Sequence, residues 1–267
     1  MNKETIAEFF DQCAPWWDAD MVRNEDVIKK ILDLGGISEG VHVLDVACGT
    51  GVLFPDYLDR GAASVTGIDI SPEMARIASA KFPEVHVICG DVEETEFNSQ
   101  FDCVMVYNAF PHFPSPHRLI QTLAGVVKPG GRLSVAHSMS RAALANHHAG
   151  RASEVSIDLI HEQQLAELFA QWFDVDVVIS NDEMYMVSGF RKETSRENCP
   201  ASLSELTMLL KYMIRHNDAH AQELAQLAEN LKQAGNPDAY DQIMDAVSYF
   251  DVANARLDSV LWDLSKE

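Results

Sequence analysis

The segment Val43-Leu44-Asp45-Val46-Ala47-Cys48-Gly49-Thr50-Gly51 decides the fold of this chain. Its first half is a short apolar run of the kind that forms a buried β-strand, and its second half is a glycine-containing turn followed by a segment of helical length. Glycine is needed where the backbone turns sharply or where a ligand approaches it closely. The segment therefore predicts a strand, a ligand-binding turn and a helix, which together begin a βαβ unit.

The turn differs from a dinucleotide-binding fingerprint at one position. That fingerprint requires a third glycine where Phe54 stands, because the helix packs closely on the strand there. Asp45 lies at the end of the strand, and its negative charge suits a cationic ligand, such as a sulfonium or an ammonium, better than a pyrophosphate. These two residues disfavour a nicotinamide-binding site.

Working outward from the turn, further strand-like runs follow at 64–70, 85–89, 101–107, 132–137, 173–180 and 183–190, after the first at 41–46. Segments of helical length separate the first five, which predicts parallel strands joined by helices. Only Asn181-Asp182 joins the last two, and so short a link predicts an antiparallel hairpin. We therefore expect an α/β fold, a Rossmann-like three-layer sandwich whose mostly parallel seven-stranded sheet ends in an antiparallel hairpin.

The chain divides by its periodicity into three parts. Residues 1–36 predict an N-terminal helical lid, 37–192 the ligand-binding domain, and 202–267 a C-terminal helical hairpin that turns at Gly235-Asn236-Pro237. Two amphipathic helices cannot bury both apolar stripes alone, so we expect the hairpin to dock on the main domain or on another subunit. A homodimer formed through these helices is one such arrangement.

Two more acidic residues follow predicted strand ends. Asp69 ends the second strand, roughly 20 residues past the glycine turn, where a carboxylate accepts hydrogen bonds from ribose hydroxyls. Asp91 follows the third strand, where a carboxylate and a neighbouring backbone N–H can read an adenine edge. The carboxyl ends of parallel strands meet at one edge of the sheet, so the sequence predicts a nucleoside site there.

Residues 41–190 resemble the class I S-adenosylmethionine-dependent methyltransferases, in the broad group that includes the quinone-biosynthesis C-methyltransferases. The motifs VLDVACGTG, GIDISPEM, GDVE, FDCVMVYNAF and VKPGGRL carry the resemblance in that order. The resemblance implies S-adenosylmethionine as the cofactor, with the glycine turn around the methionine part, Asp69 at the ribose and Asp91 at the adenine. The implied cofactor-binding residues are Asp45, Ala47, Gly49, Gly51, Asp69, Ile70, Met74, Asp91, Val92 and Asn108. Ala47 stands where the family usually has a glycine.

The methyl acceptor is expected beyond the fourth and fifth strands. Methyl transfer from a sulfonium is an in-line displacement, in which positioning and desolvation can supply most of the acceleration. The candidate catalytic residues are His112, His137 and Asn108, since a histidine at a strand end can act as a base, bind substrate or ligate a metal. The alternative is that these histidines cap backbone groups. The candidate substrate-site residues are Trp16, Trp17, Phe110, His137, Arg141 and His148.

Within the C-terminal hairpin, one spacing could serve a metal. His216, His220 and Glu223 lie at i, i+4 and i+7 and so share one helical face. Two imidazoles and a carboxylate can bind a transition metal. An exposed polar face is the simpler interpretation, and we favour it.

Composition limits the class of partner. The formal net charge of −21 over 267 residues repels phosphate backbones and anionic lipid, which argues against a nucleic-acid partner. No apolar run approaches the ~20 residues that span a bilayer, and the five cysteines are scattered without a paired motif. We therefore expect a cytoplasmic protein.

Two functions stay open at this point. The first is a methyltransferase acting on a small-molecule acceptor through a hydroxyl, thiol, amine or activated carbon. The second is a non-catalytic regulatory protein that binds S-adenosylmethionine or a metal on the same fold. A nicotinamide oxidoreductase is disfavoured by Phe54 and by the terminal hairpin.

Overall fold

The computed structural model describes residues 2–19, 21–148, 155–193 and 203–264. The chain separates into two compact units, Met1–Ser195 and Arg196–Glu267. The first contains the α/β domain with the N-terminal helices, and the second contains the C-terminal hairpin.

The seven strands of the first unit form one sheet in the order β3-β2-β1-β4-β5-β7-β6. Strands β1 to β5 are parallel, and β7 lies antiparallel between β5 and β6. The strands are β1 His42–Val46, β2 Ser64–Asp69, β3 His86–Cys89, β4 Phe101–Tyr107, β5 Val127–His137, β6 Phe173–Ser180 and β7 Tyr185–Arg191. The predicted mostly parallel sheet with a terminal antiparallel hairpin is confirmed.

One strand is longer than its apolar run. Strand β5 was predicted from residue 132 but begins at Val127, because Val127 pairs with Phe101 before the register shifts and Arg132 pairs with Cys103. Gly130, with φ of 73°, allows the turn within this irregular stretch. A bulge of this kind leaves no apolar alternation to read in the sequence.

Helices cover both faces of the sheet. They are α1 Lys3–Cys13, a 3₁₀ turn at Ala14–Trp16, α2 Glu25–Leu34, α3 Phe54–Asp59, α4 Pro72–Lys81, a 3₁₀ turn at Phe110–His112, α5 Pro116–Val126, α6 Arg141–His148 and α7 Glu162–Phe169. Side-chain caps fix several starts: Asn24, Ser71 and Ser115 each accept a hydrogen bond from the first helical turn. Strand β1 contributes Leu44 and Val46 to one buried cluster and Val43 to the other, as the three-layer prediction requires.

The second unit consists of α8 Leu203–Gln233 and α9 Pro237–Leu264, joined by a turn in which Gly235 has a φ of 88°. The two helices pack along each other, and Ile214, Ala221 and Val247 are buried. The expectation that both apolar stripes need an outside partner is therefore wrong for the stripes that face each other. No helix in the described part of the chain is long and apolar enough to cross a membrane.

Candidate cofactor and acceptor site

The turn after β1 takes left-handed backbone conformations at Ala47, Gly49 and Gly51, with φ of 54°, 56° and 85°. For an alanine this conformation costs roughly 1–2 kcal/mol, so Ala47 is strained at the edge of the sheet. The resemblance places Ala47 where the family usually has a glycine, and the structure shows that this position requires a left-handed backbone angle.

Phe54 explains why the glycine pattern departs from the dinucleotide fingerprint. A Cβ on Gly51 would lie 2.6 Å from Phe54 Cδ2, and a Cβ on Gly67 would lie 2.5 Å from Phe54 Cζ. The phenyl ring therefore occupies the space between the turn and β2, and Gly51 and Gly67 leave room for it. The helix still packs closely on the sheet, but the large residue is on the helix and the glycines are on the turn and the strand.

Asp69 ties the end of β2 to the turn. Its Oδ2 accepts a hydrogen bond from the Gly49 N–H at 2.8 Å, and its Oδ1 accepts one from the Ser71 N–H at 2.9 Å. Burial raises the pKa of Asp69 to about 6, and the nearby Asp11 carboxylate adds to the rise against these two hydrogen bonds. The carboxylate is thus fixed at the sheet edge, where the sequence placed a ribose ligand.

Asp45 is a buried carboxyl group of the site. Its Oδ2 has no hydrogen-bond partner among the described residues. Burial raises the pKa of Asp45 to about 8, against the Tyr57 hydroxyl, which lowers it, and the Asp69 carboxylate adds to the rise. A buried acceptor without a donor is costly unless a ligand supplies one, so this position fits a cationic group.

Asp91 follows β3 and is already engaged on both oxygens. Oδ1 accepts from the Glu93 N–H at 2.9 Å, and Oδ2 accepts from Lys3 Nζ at 2.5 Å. The neighbouring Val92 is buried, as is Met74 at the start of α4. The predicted adenine side of the site therefore lies next to the first residues of α1.

The N-terminal segment contacts the site at three motif residues. Asp11 of α1 accepts from Ser71 Oγ at 2.5 Å and from the Glu73 N–H at 3.0 Å. Farther along, Asp18 accepts from Thr50 Oγ1 at 2.5 Å. Sequence reasoning missed Asp11 and Asp18, because their partners lie 60 and 32 residues away and no local pattern marks them.

The aromatic residues of that segment differ in exposure. Trp17 lies with its Nε1 3.8 Å from the place where a Gly49 Cβ would be, and its ring meets that of Phe10. Trp16 is 71% exposed. Of the two tryptophans named as substrate-site candidates, Trp17 is the one brought to the glycine turn.

Asn108 and Ser138 join the ends of β4 and β5. Asn108 has a φ of 53°, its Nδ2 donates to Ser138 Oγ at 3.1 Å, and its Oδ1 accepts from the Ser138 N–H at 2.9 Å. Outside glycine, asparagine is one of the residues that most readily adopts this conformation. These two hydrogen bonds hold the carboxyl ends of β4 and β5 together, at the same edge of the sheet as the glycine turn after β1.

The two candidate histidines lie in different environments. The half-buried His112 has its Nδ1 2.9 Å from the Val155 carbonyl oxygen, and its ring packs edge-on against Phe10 at 4.9 Å. His137 is fully buried and packs against Tyr185, and Phe110 is also fully buried. Burial favours packing roles for His137 and Phe110, whereas His112 lies where α1 meets the domain.

The remaining candidates are dispersed. A guanidinium nitrogen of Arg141, Nη1, lies 3.9 Å from Oε2 of Glu162 at the start of α7. The side chain of His148 falls outside the described residues. The His216 side chain also falls outside them, while His220 Nδ1 lies 3.1 Å from Glu223 Oε2. Among the described residues no three potential ligands come together around a metal position.

Comparison with known proteins identifies the α/β part. Residues 43–131 match the family model described as a methyltransferase domain, and residues 206–264 match a domain of unknown function, DUF8180. Residues 43–131 are thus similar to methyltransferase domains. The second match coincides with the hairpin unit.

Curated relatives cover half of the chain. A ubiquinone biosynthesis O-methyltransferase of Coxiella burnetii is 32% identical over 143 residues, which are 50% of this chain and 61% of the relative. A demethylmenaquinone methyltransferase of Renibacterium salmoninarum is 30% identical over 139 residues, 50% of this chain and 58% of the relative. The chain therefore aligns with about three fifths of the length of these relatives.

A solved structure supports the fold. The complex of DhpI with SAH has a TM-score of 0.57 and 19% identity. The match covers 72% of this chain and 98% of that one. At this identity the likeness establishes the Rossmann-like methyltransferase fold alone. The matched share leaves room for the hairpin as an addition to that fold.

Proposed function

We propose that this chain is an S-adenosylmethionine-dependent methyltransferase that methylates a small molecule. The observation that carries the proposal is the buried, unpartnered Oδ2 of Asp45 beside a glycine turn whose Gly49 N–H is held by Asp69. These two buried carboxyl groups offer no positive charge to a pyrophosphate, whereas a cationic ammonium favours the ionised form of Asp45, and ribose hydroxyls can donate to Asp69. The methyltransferase-domain match over residues 43–131 supports the same cofactor.

The residues present fit the cofactor part by part. Asp45 and the glycine turn would hold its amino acid portion, Asp69 its ribose hydroxyls, and Asp91 with the N–H of Val92 its adenine. When bound, S-adenosylmethionine supplies a methyl group already activated on a sulfonium. What this chain must add is position, a dry site and, for some acceptors, a base.

His112 is our proposed general base. Since a carbonyl oxygen can only accept, the Val155 carbonyl requires a proton on Nδ1, and the neutral ring then carries its lone pair on Nε2. The carbonyl also fixes the orientation of the ring, in the way that a base is usually held by a third group. Asn108 is proposed to position the acceptor at the joined ends of β4 and β5.

The acceptor class that we favour is a phenol or quinol. Aromatic side chains of Phe10 and Trp17 lie beside His112 and the glycine turn, and could hold a flat ring. A phenolic hydroxyl has a pKa near 10 in water, so a base raises the share of the reactive phenolate at neutral pH. The two curated relatives are named for ubiquinone and demethylmenaquinone, which agrees with this choice.

A methyl-transfer assay tests the proposal. The full chain is incubated with donor labelled in its methyl group and with a panel of catechols, quinols, thiols and amines. We expect label in a phenol or quinol product, and a loss of kcat of about 10²–10⁴-fold in His112→Gln, with KM little changed. His117→Gln, a histidine of α5 packed near Trp172, is the control and should keep full activity.

The alternative function has its own outcome in that assay. If the chain binds the cofactor product but transfers no label to any acceptor, it is a non-catalytic binding protein on this fold. If label is transferred but His112→Gln and His117→Gln behave alike, the enzyme assignment stands and His112 is not the base.

A further inference from the structure

The hairpin unit has a strict seven-residue repeat. Counting Ile214 and Val247 as position a of a heptad, the a and d positions of both helices from Thr207 onward face the partner helix, and each of them is buried or half-buried. In α8 these positions are Thr207, Leu210, Ile214, Asn217, Ala221, Leu224, Ala228 and Leu231; in α9 they are Tyr240, Ile243, Val247, Phe250, Asn254, Leu257, Leu261 and Leu264. We call this set the seam. The hairpin is therefore an antiparallel two-stranded coiled coil.

Polar residues inside the seam set its register. Asn217 Nδ2 donates to Asn254 Oδ1 at 3.0 Å, and Asn254 Nδ2 donates to the Ile214 carbonyl at 3.2 Å and to Asp218 Oδ1 at 2.6 Å. Asn254 is almost fully buried. A sliding of one helix along the other would leave these amides unpaired, so the alignment of the two helices is fixed.

Beside the seam, one flank of the coiled coil carries apolar side chains and one histidine, and most of it is exposed. It consists of the g positions of both helices, which lie next to each other in an antiparallel pair. These residues, which we call the g flank, are Met213, His220 and Leu227 of α8 and Ala239, Ala246, Ala253 and Val260 of α9. Met213 is 49% exposed, Leu227 48% and Val260 49%.

The g flank carries no acidic residue and no lysine or arginine. The e flank on the other side of the seam is charged, with Lys211, Asp218 and Lys232 on α8 and Asp251 and Asp258 on α9. In an isolated two-stranded coiled coil both flanks usually carry charges. Apolar residues at a, d and one flanking position are instead the pattern of helices that face the core of a larger bundle.

We infer that the g flank is the interface for a second copy of this chain, whose hairpin completes a four-helix bundle. The flank suits a two-fold axis, because its large residues Met213 and Leu227 lie on α8 and its small residues Ala246 and Ala253 lie on α9. When two copies meet by such a rotation, the large side chains of one can face the alanines of the other. The contact is thus self-complementary in shape.

The area and the charge of the flank agree with a dimer. The 28 residues of α9 rise about 42 Å, and two helices side by side are about 20 Å wide, so the side of the hairpin that is centred on the g flank offers about 800 Å². That is about the area that each partner buries in a stable interface. With a net charge of −21, two copies would repel through most surfaces, and this face avoids that cost.

Sedimentation of the full chain tests the inference, with variants of two alanines of α9 that are both exposed. Ala253 lies on the g flank, whereas Ala255 lies outside both the seam and the flanks. We expect the wild type and Ala255→Arg to sediment at twice the chain mass of 29.6 kDa, and Ala253→Arg to sediment at the mass of a single chain. Unchanged far-ultraviolet circular dichroism of Ala253→Arg establishes that its helices remain folded.

A second matched pair on the other helix keeps the test decisive. Leu227→Glu should give a monomer and Gln226→Glu, at an exposed position beyond the flank, should remain a dimer. A monomeric wild type at micromolar concentrations overturns the inference and points to the chain's own first unit as the occupant. A dimer that survives both Ala253→Arg and Leu227→Glu places the interface elsewhere and overturns it equally.

Discussion

At the scale of single residues, Asp45 links the stability of the fold to its proposed function. A buried carboxyl group with an unpartnered oxygen destabilises the folded chain whenever it is ionised. The same ionised group is what a bound ammonium would need. Asp45 therefore lowers the stability of the free protein when it is ionised and would strengthen the binding of a cationic ligand, as buried charged groups at binding sites often do.

The raised pKa of Asp45 predicts an unusual dependence of stability on pH. The folded-state pKa is about 8 and the ordinary value is 3.8, so the folded state binds this proton more tightly than the unfolded state. Its contribution to stability is complete below about pH 4 and is lost as the pH rises towards 8. In Asp45→Asn that loss is absent. The free energy of unfolding in urea, taken as variant minus wild type, should therefore rise between pH 5 and pH 8 by up to about 1.4 kcal/mol per pH unit. A constant difference across this range would contradict the assignment.

Gly51 and Gly40 provide a matched pair for the packing of the glycine turn. Both have positive φ, 85° and 84°, but a Cβ on Gly51 would meet Phe54 at 2.6 Å, whereas a Cβ on Gly40 would meet nothing within 4 Å. Gly40→Ala should cost about 1–2 kcal/mol for the backbone conformation alone. Gly51→Ala should cost a further 1–3 kcal/mol or so for the overlap. Equal losses in a denaturant titration would show that Phe54 does not restrict the turn.

The sequence predicts individual site residues only where they belong to local patterns. Asp45, Asp69 and Asp91 could be found because each lies at, or just after, the carboxyl end of a parallel strand, and such ends converge at one edge of the sheet. The ligand roles assigned to them remain predictions. His137 also follows a strand, but Tyr185 of β7 covers it, and that contact depends on a strand almost fifty positions later in the chain.

At the scale of elements, α1 is held against the site by polar contacts at both ends. Lys3 contacts Asp91 and Glu93, and Asp11 contacts the N-terminal turn of α4. Burial would lower the pKa of Lys3, but its hydrogen bonds to these two carboxylates outweigh that and raise it. The lid over residues 1–36 stays a prediction, and these contacts show that its first helix lies against the site.

Asp11→Ala tests whether α1 is an individually anchored element. Hydrogen bonds to a charged group contribute about 1.5 kcal/mol or more, so loss of the Ser71 and Glu73 contacts should raise amide hydrogen exchange in α1 about tenfold. Exchange in the strands should be unchanged. Glu8→Ala, an exposed position on the same helix, is the control and should exchange like the wild type. Equal exchange in both variants would remove Asp11 as an anchor.

The strands were largely predictable and their spatial order was not. Helices join β1 to β2, β2 to β3 and β4 to β5, as predicted, whereas residues 90–100 join β3 to β4 without a helix, so the prediction of a helix there is wrong. The length of these links and the two-residue link before β7 determine which strands are parallel and which form a hairpin. No local pattern predicts that β7 lies between β5 and β6. A sheet in the order β5-β6-β7 would bury the same apolar residues. That choice depends on pairing between distant segments, such as Arg132 with Phe190.

At the scale of the whole molecule, the chain joins an α/β unit, part of which matches a methyltransferase-domain model, to a second unit that is an antiparallel coiled coil. The helical spacing predicted two amphipathic helices, but a seven-residue seam with its own asparagine pair becomes evident only when the helices are seen face to face. The acidic residues are unevenly distributed, since the g flank contains no aspartate or glutamate. The two units thus suggest separate tasks, cofactor chemistry for one and association for the other.

The central claim, that the sheet edge holds S-adenosylmethionine, is tested most directly by calorimetric titration with S-adenosylhomocysteine. We predict one site per chain with a Kd of micromolar order or tighter, and at least tenfold weaker binding by Asp69→Ala, about 1.4 kcal/mol. Asp59→Ala, an exposed aspartate of α3, should bind like the wild type. No heat with S-adenosylhomocysteine, or tighter binding of NADH at the same site, would contradict the account.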